Sequence, residues 1–174
     1  QEGADVVAVA RGEQLAAVRG RGLSLRTAAS TSRVDLAVVG NVSELTARSD
    51  DVVLITTKTQ DVAPVHDALA SWNADVAVVC ATNGVEHERM ALRRFARTYA
   101  MVVNLPATFE TAGEVVALCD PLNALLDVGC YPAGVDALAT ELAATIAAGP
   151  HLDAVADPAV MAKKYAKLLL NVGN

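Results

Sequence analysis

A chain of 174 residues with a formal charge of −6 has room for one domain and part of another, and it lacks the basic surplus that a nucleic-acid surface needs. Charged or polar residues interrupt every apolar stretch before it reaches membrane-spanning length, and the opening QEGAD does not read as a signal peptide. The cysteines Cys80, Cys119 and Cys130 are widely spaced, with no CxxC or Cys/His pair, so they read as buried free thiols of a reducing compartment rather than metal ligands.

Residues 5–10 (DVVAVA) form an apolar run closed by Arg11 and Gly12, the pattern of a strand that stops at a basic residue. Residues 13–19 read as a short amphipathic helix ending near Gly20 and Gly22. Residues 23–27 alternate as a strand, 28–32 read as a turn, and 34–39 (VDLAVV) as a further strand broken by Gly40 and Asn41. Residues 44–49 are a short helix or loop.

Residues 52–56 are an apolar, β-branched run set between acidic and polar neighbours, which is the signature of a buried parallel strand. The polar tail of that run carries Lys58. In open α/β sheets ligands bind beyond the carboxyl ends of strands, so a cation there stands where an anionic ligand would arrive. The alternative is a solvated loop lysine. A helix follows over 62–71, with Pro64 in its first turn, where proline is tolerated. Residues 75–80 (DVAVVC) form a second buried strand that runs into Ala81, Thr82, Asn83 and Gly84. A helix over 86–96 and a third strand over 99–104 complete the pattern. Two consecutive strand–helix units thus each place a polar group, Lys58 and Asn83, just past a strand end, which is the arrangement of a doubly wound parallel α/β sheet.

The second half changes character. Residues 108–116 and 124–128 read as short strands around loops at Gly113 and Asp120-Pro121. Residues 136–148 are a helix ended by Gly149-Pro150, and 152–155 a short strand. Asp157 and Pro158 open a last helix, aspartate as N-cap and proline at its first position. On that helix Lys167 and Asn171 are four apart and share a face, and Asn174, seven from Lys167, falls on the same stripe. Leu168 to Leu170 supply the packed side, and Lys163 and Lys164 read as exposed. A solvated polar stripe is the other account of Lys167 and its amides.

Taken together, the strand followed by TTKTQD, the strand followed by ATNGVEHE, the YPAG ahead of a long helix, and KLLLNVGN resemble the ketopantoate reductase (2-dehydropantoate 2-reductase) family over nearly the whole chain. The resemblance implies a Rossmann-like NADPH-binding domain over residues 1–156, with 157–174 as the first helix of an all-helical C-terminal substrate domain. It implies a cytoplasmic enzyme that reduces ketopantoate, or a related small 2-keto acid, to pantoate on the way to pantothenate and coenzyme A, with a homodimer as the common assembly. By the same resemblance Lys167 corresponds to the catalytic lysine, the general acid that polarises the keto oxygen. Asn171 corresponds to a substrate-binding asparagine, Asn83 to the asparagine of the NG motif that touches cofactor and substrate, and Lys58 to a cofactor-side lysine of the cleft. Arg11 corresponds to the basic residue that pairs with the 2′-phosphate of NADPH. Elementary chemistry agrees there, since an acidic residue would favour NAD and an arginine accommodates the phosphate.

The chain departs from the family at several points. No GxGxxG loop is present, and residues 1–9 read as the end of a first helix running into a second strand. The resemblance therefore places a first strand and glycine-rich turn upstream, about 20–30 residues of a βαβ unit. It places most of the helical domain, with an acidic residue that holds the substrate hydroxyls, after Asn174. The family's second asparagine stands eight residues after the lysine, whereas Asn174 stands seven after it. Two other readings stay open: a silent dinucleotide-binding relative or fragment, and a different Rossmann hydroxy-acid dehydrogenase.

Overall fold

The computed structural model describes residues 5–119 and 124–172. In chain order the first elements are β1 (Val7–Val9), α1 (Gly12–Arg21), β2 (Leu23–Thr27), β3 (Thr31–Val34) and β4 (Ala37–Val39). After a 3-10 turn (Val42–Glu44) come β5 (Val52–Ile55), a second such turn (Thr59–Asp61), α2 (Val62–Trp72) and β6 (Ala77–Cys80). Then follow α3 (His87–Leu92), β7 (Thr98–Asn104), β8 (Ala107–Thr108) and β9 (Glu114–Ala117). The chain continues through β10 (Ala124–Cys130), α4 (Ala137–Ala147), β11 (Leu152–Asp153) and α5 (Val160–Val172). They fall into two compact units, one of Gln1–Thr46 with Leu105–Asn123, the other of Ala47–Asn104 with Ala124–Asn174.

In the first unit β1 and β4 pair in parallel, Val7 opposite Ala37, and α1 buries Ala17 and Val18. A second sheet runs in the order β3-β2-β9-β8. Its hairpin corrects the expected turn over 28–32 and the expected single strand over 34–39. The turn is confined to the residues between Thr27 and Thr31, closed by the Thr27 amide on the Ser30 carbonyl at 2.8 Å. Every residue of β3 is exposed, so backbone pairing holds it and no apolar pattern announces it. Val34 then pairs with Leu23 in one sheet while Val38 pairs with Ala8 in another, which divides the apolar run. At Gly22, with φ 72°, the chain passes so close to β3 that a Cβ would stand 2.8 Å from the Val34 carbonyl oxygen. Residues 44–49, expected as a short helix or loop, are a loop leading out of the 3-10 turn, and a capping box between Asn41 and Glu44 holds that turn at its start.

The second unit is a five-stranded sheet in the order β11-β10-β7-β6-β5. Strands β5, β6 and β7 are parallel, β10 runs antiparallel to β7, and β11 lies parallel to β10. The period-2 alternation of strands sorts the core. Ala77, Val79, Tyr99, Met101 and Val128 pack on the face covered by α4, through Ala139 and Ala143. Ala100 and Val102 pack on the other face, against Val160 and Met161 of α5. Helices on both faces of a mostly parallel sheet give the doubly wound, Rossmann-like α/β class expected from the strand–helix alternation. Asp136 caps α4, its carboxylate accepting from the Ala139 amide at 2.8 Å. Gly129 of β10 has no room for a side chain, because a Cβ there would collide with the Asp157 carbonyl and lie 3.0 Å from Val160 Cγ1.

Helix α3 is shorter than expected. After Leu92 the Arg94 and Phe95 amides both turn back on the Ala91 carbonyl at 2.9 Å, and Phe95 is wholly buried, T-shaped to the His66 ring. Helix α5 starts at Val160 rather than Pro158, although Asp157 does accept from the Ala159 amide at 2.7 Å. All three cysteines are free, but Cys119 is exposed and Cys130 half-buried, so only Cys80 fits the expectation of a buried thiol. Among the described residues no helix is long and apolar enough to cross a membrane, and no group of side chains has the makings of a metal site.

Candidate active site

Three segments of the second unit meet at the carboxyl ends of β5, β6 and β7. The chain leaves β5 into the turn carrying Lys58, which is exposed and makes no ion pair among the described residues. It leaves β6 into the loop of Thr82, Asn83 and Gly84. The two turns touch, since the Thr59 hydroxyl donates to the Asn83 backbone carbonyl at 3.4 Å. Helix α5 brings the third segment.

Lys167 of α5 donates from Nζ to Asn83 Oδ1 at 3.0 Å and to the Val103 carbonyl near the end of β7. Half-burial, first, and the charge of Lys164, second, hold its pKa below the usual lysine range. Asn171, one turn on, is exposed and lines the same shallow cleft with Lys167, Asn83 and Gly84. An ammonium with two of its three donors committed retains one for a ligand oxygen, and the neighbouring amides offer both donors and acceptors.

The structure thus brings Lys167, Asn83 and Asn171 to one cleft and sets Lys58 on the adjacent turn. Arg11 belongs to the first unit, where it is exposed and precedes α1 at the end of β1. Asn174 lies outside the described residues.

Behind the cleft is a buried polar network that the sequence reading missed, and it corrects the placement of Lys164 on the surface. Lys164 is 4% exposed and Glu88 of α3 fully buried, and the two form an ion pair. The same ammonium donates to the Thr82 carbonyl at 2.9 Å and the Cys80 carbonyl at 3.4 Å. Beside it His87 Nδ1 meets the Thr82 hydroxyl at 3.0 Å, and His87 Nε2 meets His66 Nε2 at 3.1 Å. Two ring nitrogens that share one hydrogen bond need one donor and one acceptor, so the pair is stable with at least one neutral ring. Burial, then the charges of His66 and Lys164, push the His87 pKa down to about 4. The available signal was the spacing: Lys164 stands one turn before Lys167 and so shares its side of the helix. Lys163 is on the surface as expected, bridging Asp127 at 2.6 Å and Asp157 at 2.7 Å, which raises its pKa to about 12.

Residues 1–129 match the sequence profile of the family described as ketopantoate reductase PanE/ApbA. A search of the curated proteins finds no match. Among solved structures, the fold is similar to a PanE/ApbA family ketopantoate reductase from Ralstonia eutropha JMP134, with TM-score 0.78 and 24% identity over 97% of this chain and 54% of that one. It is similar to the 2-dehydropantoate 2-reductase of Geobacter metallireducens GS-15, with TM-score 0.80 and 22% identity over 98% of this chain and 56% of that one. It is also similar to a D-mandelate dehydrogenase solved with NADH and anilino(oxo)acetate, with TM-score 0.79 and 19% identity over 97% of this chain and 54% of that one. The chain therefore spans about half the length of the solved structures it matches.

Proposed function

The chain belongs to the ketopantoate reductase family, a family of oxidoreductases, and from that premise we propose that its protein reduces a small 2-keto acid with NADPH, ketopantoate to pantoate being the first candidate. The observation that carries the reading is the hydrogen bond from Lys167 Nζ to Asn83 Oδ1, at the carboxyl ends of parallel strands and with Asn171 on the same cleft.

Each unit carries groups of the kind a dinucleotide takes. Arg11, an exposed guanidinium at the end of β1, has the fork of donors that a 2′-phosphate takes. Lys58 and Asn83 offer a cation and an amide at adjacent strand ends. When bound, NADPH supplies the hydride. The rest falls to the chain. As a ketone becomes an alcohol, negative charge grows on its oxygen. The free N–H of Lys167 stabilises that charge and delivers the proton. A lysine pKa below the usual range brings the ammonium closer in acidity to the working pH, which favours the transfer. Asn83 fixes the ammonium's direction, and Asn171 binds the substrate carboxylate or hydroxyl. A cytoplasmic homodimer working toward pantothenate and coenzyme A follows from the same reading.

The likeness to D-mandelate dehydrogenase favours a second reading, a 2-keto acid bearing an aryl group, with NADH as the alternative cofactor. The test is oxidation of NADPH and of NADH by the intact protein with ketopantoate, an aryl 2-keto acid and several aliphatic ones. Turnover with none of them, by a folded protein that still binds NADPH, would leave a silent dinucleotide-binding relative.

A further inference from the structure

A buried ion pair contributes little net stability, because the desolvation of both charges cancels most of their attraction, and apolar residues of similar volume serve as well. Lys164 and Glu88 nonetheless sit beside a core of valine and alanine. Their contacts suggest what they do there. The Lys164 ammonium grips the backbone carbonyls of Cys80 and Thr82, the residues that lead into Asn83, while Glu88 holds it from α3. One turn further along α5, Lys167 grips the side chain of Asn83. The same loop is held a third time by His87 on the Thr82 hydroxyl. Two lysines of one helix thus fasten one loop, the first from inside the core and the second at the cleft.

We propose that Lys164 and Glu88 are positioning residues for the proton donor: their buried pair locks α5 to the β6–α3 loop so that Lys167 and Asn83 meet, and it sets a second cation one turn from the Lys167 ammonium. The inference rests on the reading of Lys167 as that donor. The other titratable groups around the pair are Glu88's neighbour His87 on α3, His66 on α2 and Cys80 of β6. From β7 Lys167 meets the backbone carbonyl of Val103, from the β6–α3 loop the neutral Asn83, and Lys58 follows β5 one residue before Thr59. Lys163 is occupied by Asp127 of β10 and by Asp157.

The test uses Lys164→Met, Glu88→Gln, the double variant and Lys164→Arg in the intact protein. The double variant carries no buried charge, so it keeps the question open if a single variant fails to fold. One readout needs no substrate: the titration of Lys167 followed by NMR on reductively ¹³C-methylated lysines. A unit charge one helical turn away is expected to shift that titration by about one pH unit. Lys164→Met should move it upward, Glu88→Gln downward because the Lys164 charge then stands unbalanced, the double variant less than Lys164→Met because a cation and its anion leave together, and Lys164→Arg should leave it in place. The other readout is kcat and KM against pH. Lys164→Met should lower kcat at least about tenfold with KM for NADPH within about twofold, and move the alkaline limb of kcat upward with the NMR titration. A folded double variant with wild-type kcat, or a folded Lys164→Met variant with the wild-type Lys167 titration, would overturn the proposal. A wild-type protein that turns over no 2-keto acid would overturn the proposed function instead, while the NMR titration still decides the role of the pair.

Discussion

The Lys167 ammonium reaches Asn83 Oδ1 at 3.0 Å although 84 positions separate the two residues in sequence. If this contact aims the proton donor, Lys167→Ala should lower the rate of 2-keto acid reduction by about 10²- to 10⁴-fold, the usual span of general acid catalysis. Asn83→Ala should cost less, about tenfold in kcat, since the ammonium survives and only its direction is lost. Steady-state kinetics give both numbers, and fluorescence titration should show NADPH affinity for the Lys167 variant within about twofold of wild type. Normal turnover by Lys167→Ala would remove the catalytic assignment.

Arg11 stands exposed at the end of β1, where a 2′-phosphate would be recognised. Charge-assisted hydrogen bonds contribute about 1.5–3 kcal/mol each, so Arg11→Ala should weaken NADPH about 10- to 100-fold and leave NADH nearly unchanged. Calorimetric titration with both nucleotides decides the matter. Equal losses for the two would mean that Arg11 does not read the phosphate.

The buried histidine pair predicts a pH dependence of stability. The His87 pKa is about 4 in the folded protein, pushed down from 6.5 by burial first and by the charges of His66 and Lys164 next, and His66 is lowered too. Above pH 6.5 both rings are neutral whether the chain is folded or not, and their contribution is complete. As pH falls from 6.5 toward 4 the unfolded chain binds protons that the folded one refuses, and His87 alone removes up to about 3 kcal/mol. Urea denaturation from pH 8 to 4 should follow this slope, and His87→Asn should flatten it. An unchanged slope in that variant would place the titrating group elsewhere.

Gly129→Ala should destabilise the fold by about 1–3 kcal/mol, the range for an overfilled core. The added methyl meets the backbone carbonyl of Asp157 and the Val160 side chain, neither of which is a flexible chain end. Thermal unfolding measures the cost. A melting temperature equal to wild type would show that the chain ahead of α5 can move aside.

The candidate site was unevenly legible in the chain. Lys58 and Asn83 stood out because each follows an unbroken apolar run, so the first polar residues after it mark a sheet end; the expected burial holds for β6, whereas β5 is the edge strand of its sheet and leaves Leu54 exposed. Lys167 and Asn171 stood out because their four-residue spacing puts them on one face whatever the helix packs against. The Lys164–Glu88 pair did not. The two residues are 76 positions apart, and each lies in a charged stretch, KK or EHE, that reads as a solvated face. Adjacent residues of a helix point about 100° apart, so which of Lys163 and Lys164 enters the core depends on the helix's rotation. Burial of Val160 and Met161 against β7 sets that rotation: Lys163 turns toward Asp127 and Lys164 inward.

Pairing in sheets follows the same division. Apolar runs announced β5, β6 and β7, because the burial of β6 and most of β7, and the partial burial of the edge strand β5, leave a compositional mark. They did not announce the exposed β3 or the antiparallel place of β10 beside β7, because backbone hydrogen bonds join any two strands irrespective of side chains. By itself the sequence determined the doubly wound class and the polar residues at its strand ends, since both are properties of local periodicity. Only the tertiary structure decided that Lys167 meets Asn83 and that Lys164 pairs with Glu88 in the core, since those contacts join residues that burial, not spacing, brings together.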